Sequence, residues 1–317
     1  MSNITPYQNK DYNGKSDWKI ISQGAEARIW FIPSFVSSTN VRASNSDDNK
    51  EAMNITSLPA ICKERFSKKY RHETLDSNIL KSRTKSEVKC LVRCRRGGVP
   101  CPAVLACDMG PKNLSSSDDR RLSMCLFLEF VPGMTVRECL EKISSSAFVG
   151  NEKESPDKRE CTQERSPPQK KLKNNEEVTD TRKGNNLKDG ALKKIGNAIG
   201  TIVAKMHNVN IVHGDLTTSN IMLKNPHSPL ALFWEPDLVL IDFGLSGTAG
   251  AKGVNHEENA VDLYVLERAL DSTHPSCSIF LQKEIFRAYK RHCHSSDSVL
   301  QRLSQVRLRG RKRECFG

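Results

Sequence analysis

Three oxygen-bearing side chains in the second half of the chain are spaced for chemistry on a phosphate. In the stretch His213-Gly214-Asp215-Leu216-Thr217-Thr218-Ser219-Asn220 an acid is followed five residues later by an amide. A second acid, Asp242, ends the apolar run Leu238-Val239-Leu240-Ile241 and opens Asp242-Phe243-Gly244. Asp215 is suited to orienting a hydroxyl or a water for attack on a terminal phosphate. Asn220 and Asp242 offer the hard oxygens that Mg2+ prefers. A histidine-x-aspartate or an Asp-Phe-Gly alone carries little weight. The order, the spacing and the strand that runs into Asp242 carry the reading.

That order is the one in which protein-kinase-like phosphotransferases carry the set, so the remaining parts are sought upstream. Trp18 to Ser22 and Arg28 to Ile32 read as two strands around Gln23-Gly24-Ala25-Glu26-Ala27. This turn stands where a loop would cover ATP phosphates, although it holds one glycine. Lys63, in the apolar run Ala60 to Phe66, is the candidate for the α and β phosphates. From Leu80 to Arg96 the pattern is a basic amphipathic helix whose one acid, Glu87, is the candidate partner of Lys63. Gly97-Gly98 ends it, with Pro100 and Pro102 beyond. Strands are expected at Val104 to Asp108 and Leu122 to Phe130. Val131-Pro132-Gly133 breaks the last one, and the backbone around Glu129 and Val131 would meet the adenine edge. A helix from Thr135 to Ile143 has Thr135 as a possible cap.

Farther on, Leu192, Ile195, Ile199, Ile202, Val203 and Met206 recur at helical spacing and lead into the His213 loop. Ile221 to Leu223 and Leu238 to Ile241 form a hairpin. A helix around Glu257 to Glu267 would brace that loop through Asp262. A further helix, Ser278 to Arg291, would turn Ile279, Phe280, Ile285, Phe286 and Tyr289 inward. The expectation is an α+β, bilobal, protein-kinase-like fold. Residues 1–17 form a flexible start, 18–130 a small lobe, 131–306 a large lobe and 307–317 a basic tail.

Two stretches interrupt this plan. Residues 34–57 are rich in Ser, Asn and Asp, and 149–190 carry almost no large apolar residues, a composition of disorder. Pro167-Pro168-Gln169-Lys170-Lys171-Leu172-Lys173 reads either as a nuclear import patch or, more simply, as solvated linker. The chain has 317 residues, a formal net charge of +12 and 11 Cys. The charge suits an anionic partner. The odd, irregular Cys set suits free thiols in a reducing compartment. Cys90, Cys94, Cys101 and Cys107 lack a second tight pair, so structural zinc is not expected. No run of 18 apolar residues suits a membrane, and the first residues lack the pattern of a secretion signal.

The chain resembles the small atypical kinase/ATPase subunit of the KEOPS (EKC) complex. The likeness rests on Gln23 to Ala27, Lys63-Glu64-Arg65-Phe66, Tyr70-Arg71-His72, Leu75-Asp76, His213 to Asn220, Val261 to Ala269 and Arg309-Gly310-Arg311-Lys312-Arg313. It spans nearly the whole chain outside the two inserts. The resemblance implies a shortened kinase fold without a full activation segment, using ATP and Mg2+. It implies weak autophosphorylation and serine/threonine phosphorylation, with ATPase activity dominant in the complex. That complex makes N6-threonylcarbamoyladenosine at position 37 of tRNAs and is linked to telomeres and transcription. Implied partners are the threonylcarbamoyl transferase subunit, on the large lobe and the tail, a small regulatory subunit on the small lobe, and tRNA through the complex. Cytoplasm and nucleus are the implied locations.

The residues agree on several points. Only 17 residues separate Gly244 from Asp262, with no Ala-Pro-Glu. Gly214 stands where ordinary kinases often carry Arg, and Thr217 where many carry Lys. These features disfavour the alternative, a stand-alone signalling serine/threonine kinase. A scaffold without chemistry would not need Lys63, Glu87, Asp215, Asn220 and Asp242 together. A small-molecule kinase would have no evident use for the basic tail, in which Gly310 would let the backbone bend.

Overall fold

A computed structural model describes residues 17–24, 26–35, 58–68, 70–109, 123–145, 177–226, 235–248 and 256–314, with backbone alone for 177–186 and 311–314. Expectations for residues 1–16, for Ala25 and for most of both inserts fall outside these ranges. The chain divides into two compact units, Met1–Pro132 with Asp242–Thr248, and Gly133–Ile241 with Ala249–Gly317. The sequence reading kept 131–306 together. Asp242–Thr248 instead joins the first unit, where Lys63 and Ser86 hydrogen-bond to Asp242 and to the Ser246 carbonyl.

The first unit is a five-stranded antiparallel sheet in the order β1-β2-β3-β5-β4, formed by β1 (Lys19–Gln23), β2 (Ala27–Phe35), β3 (Leu58–Phe66), β4 (Val104–Asp108) and β5 (Ser123–Glu129). Side chains alternate across a strand. On one face Ala60 and Cys62 of β3 pack with Trp30, Ile32 and Cys125. The alternation therefore sends Lys63 and Arg65 to the other face, where α1 (Glu73–Arg96) packs and Leu80 meets Met124. Sequence periodicity started this helix at Leu80; it starts at Glu73. The inward seam Asp76, Leu80, Thr84, Glu87, Leu91 and Cys94 contains three polar residues, which hid its first turns. Gly98 leaves the helix at φ +71°, a left-handed conformation that glycine adopts without a steric penalty.

In the second unit, β6 (Met134–Thr135) leads into α2 (Val136–Ser144). Thr135 caps α2 reciprocally with Glu138. Next come α3 (Glu177–Asn208), β7 (Ile211–Val212) and the hairpin β8 (Ile221–Leu223) and β9 (Leu238–Leu240), on which β6 adds as a third strand. Three helices close the unit: α4 (His256–Thr273), α5 (Ser278–His292) and α6 (Ser296–Glu314). α3 begins well before the expected end of the insert at 190, so its first turns form without an apolar stripe.

Two glycines let α3 lie close on α5. A Cβ at Gly200 would stand 2.3 Å from the Ile285 carbonyl oxygen, and one at Gly196 would stand 2.8 Å from Glu284 Cβ. The inward seam of α5 is Leu281, Ile285, Ala288 and Tyr289. Ile279, expected inside, is 84% exposed. It lies two residues, or about 200°, from Leu281 around the helix. The tail is a second correction. The inward seam of α6, Val299, Leu303 and Val306, continues to Gly310 inside the helix. Gly310 does not bend the chain: Tyr264 of α4 lies against it, and a Cβ there would come within 2.0 Å of the phenol oxygen. Arg307 forms a bidentate pair with Glu267, and Arg309 pairs with Glu257. No helix among the described residues is long and apolar enough to cross a membrane.

Candidate functional site

The ionic groups of the first unit gather on the α1 face of β3. Lys63 Nζ donates to Glu87 Oε1 at 2.9 Å and to Asp242 Oδ1 at 2.6 Å. Arg65, two residues along and therefore on the same face, donates to Glu87 Oε2 at 2.6 Å and to Thr84 Oγ1 at 3.3 Å. Glu87 is 1% exposed, so both of its oxygens answer to buried cations of one strand. This holds α1 on the sheet. Sequence reading identified Lys63, Glu87 and Asp242 and missed Arg65, whose position two residues from Lys63 on a strand was the available signal.

Asp242 sits at φ +57°, a left-handed conformation that aspartate tolerates better than most residues, and its Oδ1 also accepts the Gly244 N–H at 3.1 Å. Gly244 is required by space. A Cβ there would stand 2.9 Å from Asp242 Oδ1, 3.0 Å from Lys63 Nζ and 3.2 Å from Arg65 Nη2. The glycine leaves room for carboxylate and cations to meet.

The other expected nucleotide contacts of this unit are more mixed. Gly24 donates its N–H to the Ala27 carbonyl at 3.0 Å, closing the β1–β2 turn. Glu26 pairs with Arg83 of α1, and that hydrogen bond, opposed by burial, lowers the carboxyl pKa. Glu26 thus tethers the turn to α1. Glu129 donates its N–H to the Ala103 carbonyl at 2.9 Å, so that N–H is not available to a base edge. Its carboxylate accepts from Ala103 N–H and from Arg95. Val131 follows, buried at 8% exposure.

In the second unit the His213–Asn220 loop is fixed from beneath by one carboxylate. Asp262 accepts the His213 N–H at 2.6 Å on Oδ2 and the Gly214 N–H at 2.8 Å on Oδ1. Gly214 has φ +79°, the physical reason a glycine suits this place in the loop. His213 Nε2 lies 2.9 Å from the Ile241 carbonyl; a carbonyl can only accept, so Nε2 carries the proton. Ile241 in turn donates its N–H to the Asn220 carbonyl at 2.9 Å. The residue before Asp242 is therefore tied to both ends of the loop.

Asn220 Nδ2 donates to the Asp215 carbonyl at 2.8 Å and to Asp215 Oδ2 at 3.1 Å. Both partners are acceptors, which assigns the amide nitrogen to them and turns its oxygen, Oδ1, the other way. Asp262 has a second support that the sequence did not reveal. His207 Nε2 lies 3.4 Å from Asp262 Oδ2, and His207 Nδ1 lies 2.8 Å from the Tyr289 hydroxyl. The Asp262 carboxylate can only accept, so Nε2 carries the proton and Nδ1 accepts from the Tyr289 hydroxyl, whose pKa burial pushes far up. The signal was indirect: His207 ends the apolar face of α3, and Tyr289 reads as inward on α5.

The profile of the lipopolysaccharide kinase (Kdo/WaaP) family matches residues 170–278. A curated relative from Dictyostelium discoideum, EKC/KEOPS complex subunit bud32, is 34% identical over 298 residues, covering 94% of this chain and 84% of its own length. EKC/KEOPS complex subunit Tp53rkb of Mus musculus is 30% identical over 303 residues, covering 95% of this chain and 90% of its own. Among solved structures, WaaP in complex with acyl carrier protein aligns with a TM-score of 0.46 at 12% identity, covering 91% of this chain and 87% of that one.

Proposed function

The chain belongs to the bud32 family of EKC/KEOPS complex subunits, a kinase-type family, and on that premise we propose that it is an ATP-using subunit of such a complex, hydrolysing ATP and phosphorylating serine or threonine weakly. The observation that carries this reading is the double contact of the buried Lys63 ammonium with Glu87 and Asp242. A lysine held this way is oriented to meet a phosphate.

The residues fit ATP and Mg2+ by their donor chemistry. Asp242 and the Asn220 Oδ1 are hard oxygens. That suits Mg2+, which takes one or two protein oxygens and completes its shell with water and phosphate. Bound ATP would supply the transferable phosphate, and Mg2+ would offset its charge. Lys63, oriented by Glu87, would hold the α and β phosphates. Gly24, Ala25, Glu26 and Ala27 would form the turn over them, and Glu129 and Val131 would border the adenine.

Asp215, kept in orientation by Asn220, would accept the proton of a water or a hydroxyl as its oxygen bonds to phosphorus and the bond to ADP breaks. Asp262, through two backbone N–H groups, keeps Asp215 in place without touching reactants.

The complex-level role is the family's: support of N6-threonylcarbamoyladenosine formation on tRNA, with telomere and transcription roles, in cytoplasm and nucleus. The second unit would meet the transferase subunit and the first a small regulatory subunit. A stand-alone signalling kinase would use the same residues, but the 17 residues between Gly244 and Asp262 leave little length for docking a peptide. The test is ATP hydrolysis and autophosphorylation by purified protein, alone and with reconstituted partners and tRNA. Turnover that rises with partners and tRNA supports the reading. Efficient peptide phosphorylation by the free chain, about 1–100 per second, contradicts it.

A further inference from the structure

The basic residues of α1 fall into two sets. Arg83 pairs with Glu26, and Arg95 with Glu129 and the Cys101 carbonyl. Lys81, Lys85, Lys89, Arg93 and Arg96 form no ion pair among the described residues, and all five are exposed or half-exposed. At 3.6 residues per turn they lie within about 120° of one helix face, along about 22 Å of its length. The acid that sequence places among them, Glu87, points to the opposite, buried face. No acid of the helix falls within the stripe. By contrast, the tail arginines that sequence offered as a polyanion contact, Arg307 and Arg309, are engaged by Glu267 and Glu257.

A second observation lies at the N-terminal end of the same helix. Tyr70 is 75% exposed, with Lys68 Nζ 5.8 Å and Arg71 Cζ 5.5 Å from its ring centre. The turn that presents it is anchored, since the buried Asp76 accepts the Lys68 N–H at 2.9 Å and Arg71 Nη1 at 3.3 Å. An exposed aromatic ring flanked by cations is a stacking platform for a nucleobase, and a cationic track beside it suits the phosphates that follow. An acidic peptide would match the cations alone; it has no need of the ring. We propose that the outer face of α1, with Tyr70 at its start, is an RNA contact surface. Tyr70 takes an unstacked base, and Lys81, Lys85, Lys89, Arg93 and Arg96 take the phosphates. This deepens the tRNA-linked reading above and rests on it for the choice of RNA as the polyanion.

The experiment measures binding of the full-length protein to a transcribed tRNA, and separately to polyglutamate, over a series of salt concentrations. Neutralising Lys85, Lys89, Arg93 and Arg96 to Gln should make the log affinity against log salt slope shallower by about 3, at 0.7–0.9 per phosphate contact. ATP hydrolysis should be unchanged. Tyr70→Leu should weaken tRNA binding roughly tenfold with the slope kept. The pair Lys85→Arg and Lys89→Arg should retain the wild-type slope. If the fourfold variant does not fold, Lys85→Gln and Arg96→Gln singly should each lower the slope by about 0.7–0.9.

A wild-type slope in the neutralised variants overturns the proposal. So does a loss that is equal for polyglutamate while Tyr70→Leu changes neither, which assigns the face to an acidic protein. Failure of the nucleotide reading shows separately, as absent ATP turnover in the wild-type protein with the RNA results unaltered.

Discussion

Glu87 accepts from two cations, and Lys63 donates to two carboxylates, so the four groups Lys63, Arg65, Glu87 and Asp242 form one ionic set. Arg65 offsets part of the Glu87 charge and leaves Lys63 with positive charge to offer a phosphate. Arg65→Met should therefore weaken ATP binding by about tenfold, or about 1.4 kcal/mol, while leaving adenosine binding unchanged; calorimetric titration with both compounds reads this. Equal weakening of both would make Arg65 a packing residue only. Gly244→Ala presses on the flexible ends of Lys63 and Arg65 and on the Asp242 carboxylate. The melting temperature should hardly move, and Mg2+-dependent nucleotide affinity should fall. At this scale the sequence showed the acids and amide of the candidate site, because their identities carry the chemistry. It did not show the parts played by Arg65, His207 and Tyr289, which matter through contacts made by residues far apart in the chain.

Between elements, the tightest approach is α3 on α5, made possible by Gly196 and Gly200. Gly200→Ala gains about 1 kcal/mol of helix propensity. It also sets a methyl group 2.3 Å from a backbone carbonyl oxygen that cannot turn aside. The clash should win, with a net loss of about 1–3 kcal/mol in denaturant unfolding. A second element contact gives a pH signature. His274, at the end of α4, lies 3.2 Å from Thr218 Oγ1 in the candidate loop. Burial holds its pKa below the usual 6.5, while Glu141 and Arg137 act in opposite senses. The unfolded chain takes up the proton first, so the associated stability is complete above about 6.5 and is lost as pH falls through the folded value. Wild type should lose more melting temperature between pH 7.5 and 5.5 than His274→Gln does; equal losses would clear His274 of this role. Helices were legible where their buried stripe was apolar, as in the later turns of α3. They were misjudged where it was not: α1 buries Asp76 and Thr84, and α6 continues through Gly310 because Tyr264 fills the space a side chain would need.

For the whole molecule, the sequence conveyed two lobes and their order. It did not convey that Asp242–Thr248 would join the first unit, since that depends on Lys63, nearly 180 residues earlier in the chain. The structure also redirects the reading of the positive charge. The basic tail, a plain run in the sequence, is a helix with Arg307 and Arg309 paired, while α1 presents cations that form no ion pair among the described residues. The polar stretch 149–176 carries few large apolar residues, Val149 and Leu172 among them, and replacing it by a short flexible linker should leave ATP hydrolysis near the wild-type rate. A folded but inactive protein would assign that stretch a catalytic part. The most direct measurement of the central claim is ATP turnover by purified Asp215→Ala beside wild type, with nucleotide affinity and melting temperature taken on the same samples. The account predicts that turnover is abolished while ATP still binds and the fold is kept; turnover equal to wild type would contradict it.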